Sequence, residues 1–213
     1  MDTINIDLTP EQYANPELMK RAVAGQMGVP VSELLHVEVR RRSLDSRKRN
    51  VRYHAQVEVY RIGEEVVKPS YDGCYQDCSN APSVVIVGAG PAGLFAALRS
   101  LQVGLRPIIV ERGQPVDVRK YDLAKQVRSQ RVNPDSNWSF GEGGAGTYSD
   151  GKLFTRSNKR GNIAEVINLF IEHGASPTIA IDSHAHIGTD KLSGIIRNIR
   201  ATIERYGGEY HFG

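Results

Sequence analysis

The sequence predicts an α/β chain: a small layer of strands and one helix, followed by the opening of a parallel sheet with its helices. Three observations predict this. Over roughly the first 60 residues, Ile4, Ile6 and Leu8, and later Val51, Tyr53, Ala55, Val57 and Val59, alternate at the period of half-buried strands. From residue 84 on, Val84-Val85-Ile86-Val87 runs straight into Gly88-Ala89-Gly90-Pro91-Ala92-Gly93. A further apolar run, Ile108-Ile109-Val110, comes one helix length later and ends on Glu111.

In the first layer, Thr9-Pro10 ends the opening strand and a helix is expected over about 16–26. Leu18, Ala22 and Ala24 are read as partly inward, with Gly28 near its end. Val37 and Val39 open a second strand, and residues 45–50 form the turn into the third. The expected order is βαββ, a sheet covered by a helix in a ferredoxin-like manner, over residues 1–67. Its hairpin is basic: Arg40, Arg41, Arg42, Arg47, Lys48, Arg49 and Arg52 face only Glu38 and Asp45 nearby. Such a patch can dock an anionic partner, nucleic acid included, or can keep an exposed hairpin soluble. No aromatic stacking set accompanies the arginines, which favours the second reading.

Residues 68–82 read as a linker rich in Gly, Pro, Ser, Asn and Asp, and hold the two cysteines, Cys74 and Cys78. Their spacing is CxxxC, they precede the glycine turn, and two thiols fall short of a zinc site's four ligands. They read as unpaired thiols of a reducing compartment.

The segment from 83 onward carries the chemistry. Gly88 lets the chain turn sharply off the strand. Gly90 keeps side chains away from a diphosphate, and Gly93 lets the helix press on the sheet. The helix start, with Pro91 and Ala92 in its first turn, offers unpaired N–H groups and a partial positive charge to phosphate oxygens. Leu94, Ala97, Leu98 and Leu101 recur at helical spacing, and Gly104 suits a stop. Glu111, 23 positions after Gly88, stands where a carboxylate accepts hydrogen bonds from an adenosine ribose. A strand, glycine turn, helix, strand and acid in this order predict a Rossmann-like dinucleotide site. The acid disfavours a 2′-phosphate; FAD and NAD both remain open at this point.

Farther on, a helix is expected over 115–129, with Val116, Tyr121, Leu123, Ala124 and Val127 as its apolar stripe. Between 141 and 151 stand five glycines, flanked by Trp138, Phe140, Tyr148 and Leu153. Such a loop lets backbone approach a flat ligand, with aromatic neighbours anchoring it. Ile163, Val166, Ile167, Phe170 and Ile171 mark one helix, and Leu192, Ile195, Ile196, Ile199 and Ile203 another, capped by Thr189 or Asp190. A strand begins at Glu209. His184 and His186 form an HxH pair, but no acidic ligand cluster joins them, so no metal is expected.

Composition sets limits. Charged residues at 24% and apolar ones at 40% describe a globular chain, and a net charge of +3 does not argue for nucleic acid. The N-terminus carries acids where a signal peptide carries bases, and no apolar run approaches the ~20 residues of a membrane helix. A cytoplasmic location is the expectation.

The run Gly88-Ala89-Gly90-Pro91-Ala92-Gly93-Leu94, with Glu111-Arg112, resembles the FAD-binding start of glutathione-reductase-like flavoproteins. The loop Phe140–Leu153, the later His186-Ile187-Gly188-Thr189-Asp190 and the hairpin from Arg41 to Lys48 together resemble the uncharacterised FAD-dependent dehydrogenases. In that family a small α+β domain precedes a flavin-binding Rossmann-like core. The resemblance implies FAD held by Gly88, Gly90, Pro91, Ala92, Gly93, Glu111 and Arg112, with Gly143, Gly144, Ala145, Gly146 and Thr147 near the flavin. It also implies that 83–213 is only the first part of a longer, here incomplete, core. Lys152 is a candidate catalytic cation for a reduced, anionic flavin, or else a solvated lysine. A small-molecule substrate and a redox partner, with NAD(P)H as a candidate, are implied. The alternatives are an NAD-binding dehydrogenase piece and a binding module docked through the basic N-terminal domain.

Overall fold

A computed structural model describes residues 1–47, 49–66, 70–155 and 161–213. Lys48 of the basic hairpin and Lys68 at the start of the linker lie outside the described residues. The chain divides into two compact units.

The first unit is Met1–Ser70 joined by Pro177–Ala185 and the chain at Phe154. Strand β1 (Asp2–Leu8) ends at Thr9, which caps a short helix α1 (Pro10–Ala14) that the strand pattern alone did not suggest. The reason was legible: Thr9 and Gln12 form a reciprocal capping box, with Pro10 in the first turn. Asn15 then caps α2 (Pro16–Met27), and Gly28 ends it in the left-handed region at φ 68°. Strands β2 (Leu34–Asp45) and β3 (Arg52–Arg61) complete an antiparallel sheet of order β1-β3-β2. Its register sets Ile6 opposite Ala55 and Val39 opposite Val57. One sheet face is sealed by α2, with Ile6, Leu8, Met19, Val23, Ala24, Leu34, Ala55, Val57 and Val59 as the core. The inward face of α2 is thus Met19, Val23 and Ala24; Leu18 is exposed, one position off the expected stripe. The start at Pro16 fixes the helix phase, which single-residue hydrophobicity does not.

Three arginines of the basic hairpin are paired with carboxylates of the same unit. A register irregularity between Val39 and Arg41 frees Arg40, whose Nε donates to Glu58 Oε2 at 2.7 Å. Arg47 pairs with Asp45 at 2.8 Å. Arg42 engages Asp182 through two donors at 2.5 and 3.2 Å. The backbone at Arg42 also bonds Ile181 O and the Ser183 amide, which joins 181–183 to the free edge of β2.

On the solvent face of this sheet, His54 of β3 meets Asp7 of β1 through Nδ1 at 2.5 Å and Asp45 of β2 through Nε2 at 3.4 Å. The Asp7 hydrogen bond, then Asp45, raises its pKa. Because the folded pKa is the higher one, the stabilisation is fully present below about 6.5, the unfolded value, and is lost as pH rises through the folded value. An NMR titration of the His54 ring is therefore expected to show a midpoint above that of a free histidine. Asp7→Asn is expected to bring it back; an unshifted midpoint in the parent chain would remove the clamp.

The second unit contains Tyr71–Leu153, the stretch around the fifth helix, and His186–Gly213. Strands β4 (Ser83–Val87), β5 (Arg106–Glu111) and β6 (Glu209–Phe212) form a parallel sheet in that order. Val85 lies opposite Ile108, which lies opposite Glu209. Between β4 and β5 runs α3 (Pro91–Gln102), which buries Leu94, Ala97, Leu98 and Leu101 as its spacing requires. Next come α4 (Val116–Ser129), α5 (Ile163–Glu172) and α6 (Thr189–Arg205); α6 buries Leu192, Ile195, Ile196, Ile199 and Ile203. Gly188, not Thr189 or Asp190, holds the α6 cap position. The expected stripe of α4 is corrected: Tyr121 and Val127 are exposed, while Val116, Leu123 and a charged residue, Arg119, are buried. Among the described residues, β4 has one strand neighbour, and Val85 and Val87 are 62% and 87% exposed.

Candidate functional site

The turn after β4 is built from backbone constraints. Gly88 stands at φ +97°, a conformation L side chains rarely adopt, and its amide still bonds Val110 O at 2.7 Å, prolonging the ladder with β5. Gly90 occupies the N-cap of α3 without a side-chain cap, and Leu94 N makes the first intrahelical bond to its carbonyl. Pro91 has no N–H to leave unpaired, whereas Ala92 and Gly93 carry first-turn N–H groups with no intrahelical acceptor.

The glycines of this turn divide by what their missing side chains would meet. A Cβ on Gly93 would stand 1.9 Å from the carbonyl oxygen of Gly88, so helix and turn touch there. A Cβ on Gly90 would meet nothing within 4 Å. Protein packing therefore does not require glycine at 90; the space beside the α3 N-terminus is open. This clearance fits a diphosphate approaching the helix amides.

Glu111 is buried at the end of β5, and each carboxylate oxygen accepts one amide at 2.8 Å, Ala89 N on Oε2 and Gly113 N on Oε1. It is thus a strut between the turn and the exit of β5. A carboxylate offers about four acceptor positions, so each oxygen retains capacity for a ribose hydroxyl. Arg112 is exposed; its Nη2 donates to Pro134 O at 2.7 Å, and its guanidinium lies 4.1 Å over the Phe140 ring.

The glycine-rich loop packs directly on this turn. Gly143 N donates to Ala89 O at 2.8 Å, and a Cβ on Gly144 would lie 3.3 Å from Pro91 Cδ. Residues Gly144–Tyr148 form a 3₁₀ turn. Most of its glycines serve protein packing. A Cβ on Gly113 would reach 2.4 Å from Gly141 Cα, one on Gly141 2.6 Å from Arg119 Cδ, and one on Gly143 2.4 Å from Ile196 Cδ1. Gly146 alone of the loop glycines has open space around it, and Ala145 beside it is exposed. The Thr147 hydroxyl is turned inward and donates to Gly144 O at 3.0 Å.

The loop's anchor is a residue that hydrophobic periodicity passes over. Of the four flanking residues expected to hold it, Trp138 and Phe140 are each nearly half exposed, while Tyr148 and Leu153 are half-buried. Arg119 of α4 is fully buried and donates to the carbonyls of Asn137, Trp138, Glu142 and Gly144 at 2.7–3.0 Å. No carboxylate lies at ion-pair distance from it among the described residues, and burial lowers its pKa. Glu142 is buried too. It accepts the Val116 amide at 2.7 Å and sits 3.3 Å from Arg200, yet desolvation pushes its carboxyl up. One of two arginines on a largely polar α4, Arg119 offers no sequence signal for this role.

Lys152 is exposed and pairs with Asp150 at 3.1 Å, which holds the Asp150 carboxyl low. Its backbone forms an isolated antiparallel bridge with His186. No group of three or more metal-ligating side chains exists among the described residues. Cys74 is exposed and Cys78 buried, both as free thiols; burial raises the Cys78 thiol pKa. No helix of the described residues is long and apolar enough to cross a membrane.

Comparison with known proteins agrees with this geometry. Residues 83–121, from the start of β4 into α4, match the model of an FAD binding domain. Residues 1–60 match a domain of unknown function, DUF8436. An uncharacterized protein of Clostridium beijerinckii is 34% identical over 223 aligned positions. The alignment covers 98% of this chain and 41% of that protein, so the chain spans well under half of its relative's length. By this match, residues 83–121 belong to an FAD binding domain.

Proposed function

We propose that the chain is the N-terminal portion of an FAD-dependent dehydrogenase of the uncharacterised family it resembles. Residues 1–67 are its small α+β domain, 68–82 a linker and 83–213 the first part of the Rossmann-like core. The observation that carries the reading is the open space at Gly90, beside the first-turn amides of α3 and the Glu111 strut. In this reading Gly88, Gly90, Pro91, Ala92 and Gly93 cradle the diphosphate and Glu111 accepts the ribose hydroxyls. Arg112 and the stretch from Gly143 to Thr147 border the rest of the cofactor. FAD supplies hydride or electron transfer when bound, and the chain orients it and shields it from water. Lys152 is the candidate cation for the reduced cofactor, with its charge shared by Asp150.

The edge of β4, which has no second strand partner among the described residues, and the greater length of the relative support a larger core in the whole protein. A small-molecule substrate and a redox partner such as NAD(P)H belong to that whole protein. The strand order β1-β3-β2 is compatible with half of a ferredoxin-like arrangement. The pairing of Arg40, Arg42 and Arg47 with Glu58, Asp182 and Asp45 favours a structural over a nucleic-acid-binding role for the hairpin. Free thiols fit a reducing, cytoplasmic setting.

Titration of the chain with FAD, followed by flavin fluorescence, tests the reading. Binding is expected for the parent chain. Gly90→Val, whose side chain meets no protein atom at its Cβ, is expected to weaken it by at least about tenfold, near 1.4 kcal/mol, in a variant whose thermal melt shows it still folded. Tight NAD binding without FAD binding, or full FAD affinity in Gly90→Val, would reject it.

A further inference from the structure

We infer that Arg119 is the positioning residue of the cofactor site, shaping the glycine-rich loop before any ligand arrives; this rests on the FAD-site reading above. A guanidinium carries five N–H donors in a rigid planar fork. Here all its nitrogens are occupied by oxygens of one loop. Nε and Nη2 share Asn137 O at 3.0 and 2.9 Å, and Nη2 also reaches Trp138 O at 2.9 Å. Nη1 serves Glu142 O at 2.9 Å and Gly144 O at 2.7 Å, with Gly141 O and Thr147 Oγ1 at 3.4 and 3.2 Å.

Carbonyls drawn inward turn their peptide planes, and each following amide faces the other way. The peptide whose oxygen is Glu142 O therefore aims the Gly143 amide at Ala89 O of the glycine turn. The next captured carbonyl, Gly144 O, belongs to the residue that lies against Gly90 and Pro91. One side chain thus fixes both contacts between loop and turn. An apolar residue could fill the volume but could not donate to the carbonyls of Asn137 and Trp138, which Arg119 serves, nor supply the shorter of the bonds to Glu142 O and Gly144 O. Among the described residues the buried cation has no carboxylate in contact; Glu111 and Glu142 act on it only at longer range.

The test uses the full chain with Arg119→Met and Arg119→Lys. Amide hydrogen exchange without ligand reads the loop itself. In Arg119→Met, the Gly143 amide and its loop neighbours are expected to exchange at least about tenfold faster, with α3 amides unchanged. FAD affinity is expected to fall by about tenfold or more through lost preorganisation. Arg119→Lys keeps the charge but not the fork, and is expected to recover part of each effect. Should Arg119→Met fail to fold, Arg119→Lys decides by the same two readouts. Parent-like loop exchange and FAD affinity in a folded variant would overturn the inference. A parent chain that binds no FAD, with loop exchange still dependent on Arg119, would instead overturn the cofactor reading and leave the loop-shaping role in place.

Discussion

Gly93→Ala is expected to destabilise the second unit and abolish FAD binding, although alanine is the better helix former. In an open helix site the exchange would stabilise by up to about 1 kcal/mol. At position 93 the added methyl would lie 1.9 Å from the Gly88 carbonyl oxygen, a backbone atom that no side-chain rotation can move. The helix must retreat from the turn, opening the buried contacts of Leu94, Ala97 and Leu98. Overpacking of this kind costs about 1–3 kcal/mol or more. For a chain of this size that corresponds to roughly 3–10 °C of melting temperature. The sign decides the matter. A thermal melt showing Gly93→Ala equal to or above the parent would mean that helix and turn do not touch as described.

Glu111→Ala is expected to be the second most damaging single change, by a different route. Its two oxygens accept the amides of Ala89 and Gly113, both at 2.8 Å in a buried setting. Removing the carboxylate leaves two donors without acceptors, each costing about 1–3 kcal/mol. Glu111→Gln keeps one acceptor but turns an NH₂ group toward the other amide, so an intermediate loss is expected. Urea unfolding of the parent and both variants checks the order. Hydrogen exchange at Ala89 and Gly113 locates the effect, since these two amides should lose protection first. If Glu111→Ala kept parent stability but lost FAD affinity, the residue would be a ligand contact only. If both fell together, strut and ribose acceptor would be the same group.

Much of this could be read along the chain because it depends on neighbours in sequence. Strand alternation, the glycine turn, Pro91 in the first helical turn and the acid closing β5 are local requirements of backbone geometry, each met by residues a few positions apart. The capping box of Thr9 and Gln12 is equally local and specifies α1. Helix faces are less legible. Hydrophobicity turns Leu18 of α2, and Tyr121 and Val127 of α4, inward, yet the phase of a helix is set by where its cap falls and by what packs on it.

The glycine motif, its following helix and Glu111 are thus properties of the sequence by itself, because turn chemistry and strand period act over short range. Tertiary structure alone decided which glycines leave room for a ligand and which are filled by the protein, since that depends on atoms from α3, α4, α6 and the loop meeting at one point. It alone joined 181–183 to β2 and paired three arginines of the basic hairpin with carboxylates of the same unit. It alone buried Arg119, because a guanidinium is tolerated inside only where many carbonyls converge, and no pattern of residue types announces that convergence.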